Sequence, residues 1–121
     1  SGFMIPQYSA ASVVSRNKQL CTPSSVDTID SSNGQEDHVS MGANAAVKTL
    51  EVIKNVEKIL GVELFTASQA LEFRKPLKSS EYIERLIIQF RKFVPFVGDD
   101  KIMQDEMEKS RVFVQNFNFN S

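Results

Sequence analysis

An amide, two carboxylic acids and an imidazole, those of Gln35, Glu36, Asp37 and His38, follow one another directly in this sequence. A carboxylate on an ordered loop can accept hydrogen bonds from a polar substrate ring, and a neighbouring amide can orient that substrate. The histidine has no second histidine or thiolate at ligand spacing, so the group is not predicted to hold a metal. The sequence also contains no nucleophile elbow and no phosphate-binding loop. The stretch is therefore suited to binding through hydrogen bonds, but the residues alone do not identify the ligand.

The same residues also fit a purely structural role at the start of a helix. Asn33 followed three positions later by Glu36 is the pattern of a capping box. Glu36 and Asp37 would interact favourably with the positive end of a helix dipole. His38 could hydrogen-bond Asp37 or a backbone carbonyl. From the residues alone, both the binding and the capping interpretation are open.

The hydrophobic periodicity on either side of this stretch predicts an all-α chain. The preceding residues are dense in Ser, Thr, Asp and Gly, which favours a loop. Apolar residues then recur every three or four positions as far as Pro76, which predicts one helix of roughly 35 residues, a length typical of larger bundles or oligomers. Ser79 or Ser80 can cap the next helix. The predicted segments are the end of a bundle helix (1–19), a loop (20–35), the long helix (36–74) and the C-terminal helices (79–121).

Composition excludes several classes of partner. The 121 residues are 41% hydrophobic and 24% charged with a net charge of -1, which gives no basic footprint for nucleic acid or anionic lipid. No apolar run approaches the roughly 20 residues that span a bilayer. The single cysteine, Cys21, allows no internal disulfide, which fits a reducing, cytoplasmic compartment. Because the sequence has no initiator Met and no signal-peptide features, we expect it to be a piece of a longer protein.

The run Gln-Glu-Asp-His-Val-Ser-Met-Gly at 35–42 resembles the C-terminal signature of the histidine ammonia-lyase family. The resemblance extends to the flanking residues and is nearly continuous from Ser1 to about Lys78. It includes the helical residues around Met4 and Tyr8, the segment at 23–29 before the loop, and the long helix with the turn after it at 62–78. We therefore expect the C-terminal portion of such an enzyme.

The resemblance implies a specific chemistry. Members of the family convert L-histidine to trans-urocanate and ammonia, and are mainly helical homotetramers whose active sites draw on more than one subunit. They use an electrophilic 4-methylideneimidazole-5-one ring, formed from an Ala-Ser-Gly triplet of their own chain. By the resemblance, Glu36 faces the imidazole of the substrate and Gln35 also lines the pocket. It carries over no role for Asp37 or His38 beyond shaping the loop, and no catalytic, cofactor-binding or metal-binding residue.

No Ala-Ser-Gly triplet occurs in these 121 residues. We therefore predict that this chain alone carries no cofactor and is inactive, and that its apolar helix faces lead to self-association. A tyrosine ammonia-lyase or aminomutase of the same superfamily is an alternative. A second alternative is a helical assembly module without catalysis.

Overall fold

The computed structural model describes residues 2–120, which form four α-helices. These are α1 (Met4–Leu20), α2 (Gly42–Glu72), α3 (Glu81–Phe90) and α4 (Gln104–Asn116), and two short 3-10 turns, Ser24–Asp27 and Ser32–Gly34, lie between α1 and α2. The described residues contain no β-strand, only an isolated bridge between Ser31 and Glu36. The all-α prediction is thus confirmed. None of the helices in this range is long and apolar enough to cross a bilayer.

The long helix α2 is the element to which the others attach. It packs against both α1 and α4. Buried Asn55 of α2 donates a hydrogen bond of 2.8 Å from Nδ2 to Oδ1 of Asn17 in α1. The approach to α4 is so close at Gly61 that a Cβ there would lie 2.7 Å from the backbone nitrogen of Arg111. Only glycine therefore fits at this crossing without moving a helix.

An aromatic core fills the space between α2, α3 and α4. Phe65 and Phe90 are fully buried, and Phe113 of α4 meets Phe90 edge-to-face with ring centroids 5.2 Å apart. Buried Gln69 fixes the connection between α3 and α4, because its amide hydrogen-bonds both backbone groups of Val97 (Nε2 to O, 2.7 Å; N to Oε1, 3.2 Å). This core packs around the C-terminal part of α2. The loop that precedes α2 lies at the opposite end of the helix and has its own hydrogen bonds.

The predicted start of the long helix at residue 36 is wrong. The helix begins at Gly42, preceded by Met41 in the left-handed region (φ 50°) and without a side-chain cap. The proposed capping box is also wrong, because Asn33 lies inside a 3-10 turn with φ 58° and ψ 37°. A helix cannot begin at Glu36, because the backbone groups of Glu36 are already paired with Ser31 across the loop.

The other predicted boundaries differ from the observed ones by only a few residues. The first helix extends to Leu20 and α2 ends at Glu72, close to the predicted limits of 19 and 74. Ser80 caps α3 as predicted, since its side chain accepts a hydrogen bond of 3.3 Å from the backbone nitrogen of Ile83. The last helix begins at Gln104, within the segment 79–121 that was predicted to contain the C-terminal helices.

One face of α2 carries apolar side chains that the described structure covers only in part. They follow each other every three or four residues, and between 42% and 68% of each is exposed: Val47, Leu50, Ile53, Val56 and Leu60. The neighbouring helix α1 likewise exposes Met4, Ile5 and Tyr8 by half or more. Exposed apolar stripes of this length are typical of surfaces that pack against further protein.

Candidate functional site

The candidate site lies on the 21-residue connection between α1 and α2, which is folded back on itself by two sets of hydrogen bonds. In the inner set, the backbone nitrogen of Ser31 donates to the carbonyl of Glu36 at 2.7 Å, and the nitrogen of Glu36 donates back at 3.2 Å. In the outer set, the hydroxyl of Thr28 pairs with the backbone of Asp37 and Val39. The segment 28–39 is therefore ordered, although it contains neither an α-helix nor a strand.

The tip of this loop turns sharply through three consecutive residues with positive φ. The φ values are 53° at Ser32, 58° at Asn33 and 79° at Gly34. Glycine and asparagine adopt this region readily, whereas serine does so at a cost on the order of 1 kcal/mol. Two backbone hydrogen bonds close the turn. The nitrogen of Gly34 donates to the carbonyl of Ser31 at 3.0 Å, and the nitrogen of Gln35 donates to the carbonyl of Ser32 at 3.2 Å.

The turn places Gln35 and Glu36 together on the exposed side of the loop. Both residues are exposed, as are Asp37 and His38. Within residues 2–120, no hydrogen bond or ion pair engages the side chain of Gln35 or Glu36, whereas the backbone of both is fixed. Both polar side chains are therefore accessible, and their main chain is hydrogen-bonded within the loop.

These residues do not by themselves enclose a pocket. The neighbouring cavity, of about 360 Å³, is lined by residues 39–44 and includes neither Gln35 nor Glu36. No cluster of three or more His, Cys, Asp or Glu side chains suited to a metal ion lies in the part of the chain that the structure describes. The arrangement can present a carboxylate and an amide to a polar ligand. Residues other than those of this loop would have to enclose that ligand.

Sequence reasoning did not identify Thr28, which organises this site. Its hydroxyl reaches backbone groups nine and eleven residues further along the chain. No local pattern marks such a contact, because one threonine in a loop rich in Ser and Thr looks like any other. The contact becomes visible only in the structure, where the chain folds back between residues 28 and 39.

Solved structures of similar fold define the class to which this helical assembly belongs. The crystal structure of histidine ammonia-lyase from Trypanosoma cruzi superposes with a TM-score of 0.90 and 37% identity, over 95% of this chain and 23% of that one. Phenylalanine aminomutase from Pantoea agglomerans (TM-score 0.82, 28% identity) matches 92% of this chain and 21% of its own. The ergothioneine-degrading ergothionase from Treponema denticola (TM-score 0.80, 27% identity) matches 87% and 21%.

Sequence comparison identifies the family. The sequence model described as aromatic amino acid lyase matches residues 1–92, which include the whole loop with Gln35 and Glu36. The chain belongs to the aromatic amino acid lyase family. It is 55% identical over 106 residues to a histidine ammonia-lyase from Caldanaerobacter subterraneus, and 48% identical over 108 residues to one from Natranaerobius thermophilus. These matches cover 87% and 89% of this chain but 21% of each relative, so the chain spans about a fifth of their length.

Proposed function

We propose that this chain is the C-terminal portion of a histidine ammonia-lyase, which converts L-histidine to trans-urocanate and ammonia. In this reaction the C–N bond of the amino group breaks, a proton leaves the neighbouring carbon, and a C=C bond forms without oxidation. The observation that carries the proposal is the identity of 48% and 55% to relatives named histidine ammonia-lyase. Identity to the structurally similar aminomutase and ergothionase is only 28% and 27%.

Glu36 is the residue that we propose to bind the imidazole ring of the substrate. A carboxylate accepts the ring N–H and favours the positively charged ring, and such charge-assisted hydrogen bonds are stronger than neutral ones. Its exposed position on a loop with a fixed main chain supports this role, because a binding group must be held in place before the ligand arrives. The amide of Gln35, beside it, offers both a donor and an acceptor and would orient the same ligand.

The residues of this chain do not fit the electrophilic cofactor of such enzymes. The 4-methylideneimidazole-5-one ring requires an Ala-Ser-Gly triplet, and none of the 121 residues forms one. We therefore assign the cofactor to a part of the enzyme outside this sequence. The role of this chain is to bind and orient the substrate, within a cytoplasmic homotetramer whose other segments complete the pocket.

The proposed function is tested with the complete protein that contains these residues. It is offered L-histidine and L-tyrosine in parallel, and formation of the unsaturated products, urocanate and coumarate, is followed by absorbance. Urocanate as the sole product is the expected result. Coumarate as the sole product would instead identify a tyrosine ammonia-lyase.

Two further outcomes separate the remaining alternatives. Isomerised amino acid without free ammonia would indicate an aminomutase, which the similarity to the Pantoea enzyme keeps as the second candidate. A folded protein that produces none of these would favour a helical assembly module without catalysis. As a control, the purified 121-residue chain should form no urocanate, and turnover by it would contradict the assignment of the cofactor to another segment.

A further inference from the structure

We propose that Thr28 is a positioning residue for Glu36, whose carboxylate it places for contact with the substrate ring. The inference rests on the proposed function of Glu36. Thr28 itself touches neither the substrate nor any reacting atom in this account. It acts through the backbone of Asp37 and Val39, which its hydroxyl binds.

The hydroxyl of Thr28 both accepts and donates a hydrogen bond across the loop. The backbone nitrogen of Val39 donates to Oγ1 of Thr28 at 2.9 Å, and the hydroxyl donates to the carbonyl of Asp37 at 3.3 Å. A hydroxyl has one proton to donate and also accepts, so a single side chain satisfies both groups. Thr28 and Val39 are half-buried, which protects the bond between them from competition by water, whereas the bond to the carbonyl of Asp37 is exposed.

Glu36 itself forms the backbone bridge to Ser31, and the contact with Thr28 holds the residues that follow it directly, Asp37 and Val39. The bridge depends only on main-chain atoms, whereas the contact after Glu36 depends on the hydroxyl of Thr28. The structure records no other side-chain hydrogen bond to the backbone of residues 36–40 within the range that it describes. Without the hydroxyl, the segment between the bridge and the start of α2 at Gly42 would lose these two hydrogen bonds to the opposite side of the loop.

A substitution that removes only the hydroxyl tests this role. Thr28→Val has nearly the same shape as threonine but cannot bind Asp37 or Val39. We expect it to lower kcat/KM for L-histidine on the order of 10- to 100-fold in the complete protein, as for a binding group displaced by about 1 Å. Thr28→Ser keeps the hydroxyl and should restore most of the activity.

Thr22→Val is the matched control. Thr22 lies in the same connection, and its hydroxyl also donates to a backbone carbonyl, that of Gln19 at the end of α1, at 3.2 Å and far from Glu36 along the chain. We expect this variant to keep wild-type kcat/KM.

The Glu36→Ala background separates positioning from a general structural role. If Thr28 acts through Glu36, the effects are not additive, and Thr28→Val should change kcat/KM by less than about twofold once the carboxylate is absent. An equal loss in both backgrounds would overturn the proposal and leave Thr28 as a structural residue. A loss with Glu36→Ala but none with Thr28→Val would overturn it while the proposed function stands. No loss with Glu36→Ala would refute the assigned role of Glu36, and the inference with it.

Hydrogen exchange provides a readout independent of activity. The amide of Val39 lies outside any helix, yet its bond to Thr28 should protect it from exchange in the wild-type protein and not in Thr28→Val. If Thr28→Val fails to fold, by circular dichroism, the kinetic comparison is made with Thr28→Ala. Rapid exchange of the Val39 amide in the wild-type protein would overturn the proposal in either case.

Discussion

Replacing Gly61 with alanine should weaken the contact between α2 and α4. A Cβ at this position would lie 2.7 and 2.8 Å from the nitrogen and Cα of Arg111 and 3.1 Å from the carbonyl carbon of Ser110. Ordinary contact between carbon atoms is about 3.5–4.0 Å, and backbone atoms cannot rotate away as a side chain can. The two helices must therefore separate by roughly 0.7–1 Å.

The magnitude follows from two opposed effects. Overpacking of this kind costs about 1–3 kcal/mol, and contact with rigid backbone favours the upper end. Alanine in a helix interior is about 1 kcal/mol more favourable than glycine, which offsets part of that cost. We expect a net loss of about 2 kcal/mol in the local stability of α4, which corresponds to roughly 30-fold faster amide exchange.

Hydrogen exchange with mass spectrometry on peptides covering Gln104–Asn116 of the complete protein measures this loss. Gly98→Ala is the matched control, because a Cβ at Gly98 would have no atom within 4 Å, and it should leave exchange unchanged. Exchange in Gly61→Ala that is unchanged or slower would refute the reasoning. It would mean that helix propensity outweighs the contact, or that the helices separate at little cost.

Three further predictions concern stability, pH and association. Gln69→Leu leaves both backbone groups of Val97 unpaired and should lower stability by at least about 2 kcal/mol, whereas exposed Gln89→Leu should leave the thermal midpoint nearly unchanged. Hydrogen bonding to Lys101 holds the pKa of the buried Glu106 carboxyl below its ordinary value. The stabilisation from this ionised carboxyl is therefore fully present above the unfolded-state pKa and is lost as pH falls through the folded-state pKa. In Glu106→Gln, the urea midpoint should therefore decrease less than in the wild type when the pH is lowered from about 7 to about 3. The purified 121-residue chain should self-associate through its exposed apolar helix faces, and a monomeric mass by light scattering across a wide concentration range would contradict this.

Periodic features were predictable from the sequence because their causes are local. Apolar residues every three or four positions define the face of α2, and a serine before a helical run defines the cap at Ser80. These patterns depend on neighbours within one or two turns. The all-α fold and most helix limits could therefore be read from residue order.

The loop geometry was not predictable, because its determinants are distant in sequence. Asn33 and Glu36 have the spacing of a capping box, yet Glu36 pairs with Ser31 and the following residues pair with Thr28. A local pattern cannot show that a hydroxyl eight residues before Glu36 has already engaged the backbone. The same limit applies at Gly61, whose close partner in α4 lies about fifty residues further along the chain.

The sequence directed attention to Gln35 and Glu36 but not to the hydrogen bonds that shape their loop. The run at 35–42 directed attention to Gln35 and Glu36, and the structure places both on one exposed, hydrogen-bonded loop. The three left-handed residues that form the turn include Ser32, which composition alone would not assign to that conformation. Nonlocal hydrogen bonds sustain that conformation, and they exist only in the folded chain.

The most direct test of the account is kcat/KM for L-histidine in the complete protein with and without the carboxylate of Glu36. Glu36→Ala and Glu36→Gln are compared with the wild type and with Asp30→Asn, an exposed acid in the same connection. A hydrogen bond to a charged group contributes about 1.5–3 kcal/mol, so both Glu36 variants should lose on the order of 10- to 100-fold, while Asp30→Asn loses little. A wild-type value of kcat/KM in Glu36→Ala would contradict the account, because it would show that the carboxylate of Glu36 does not bind the substrate.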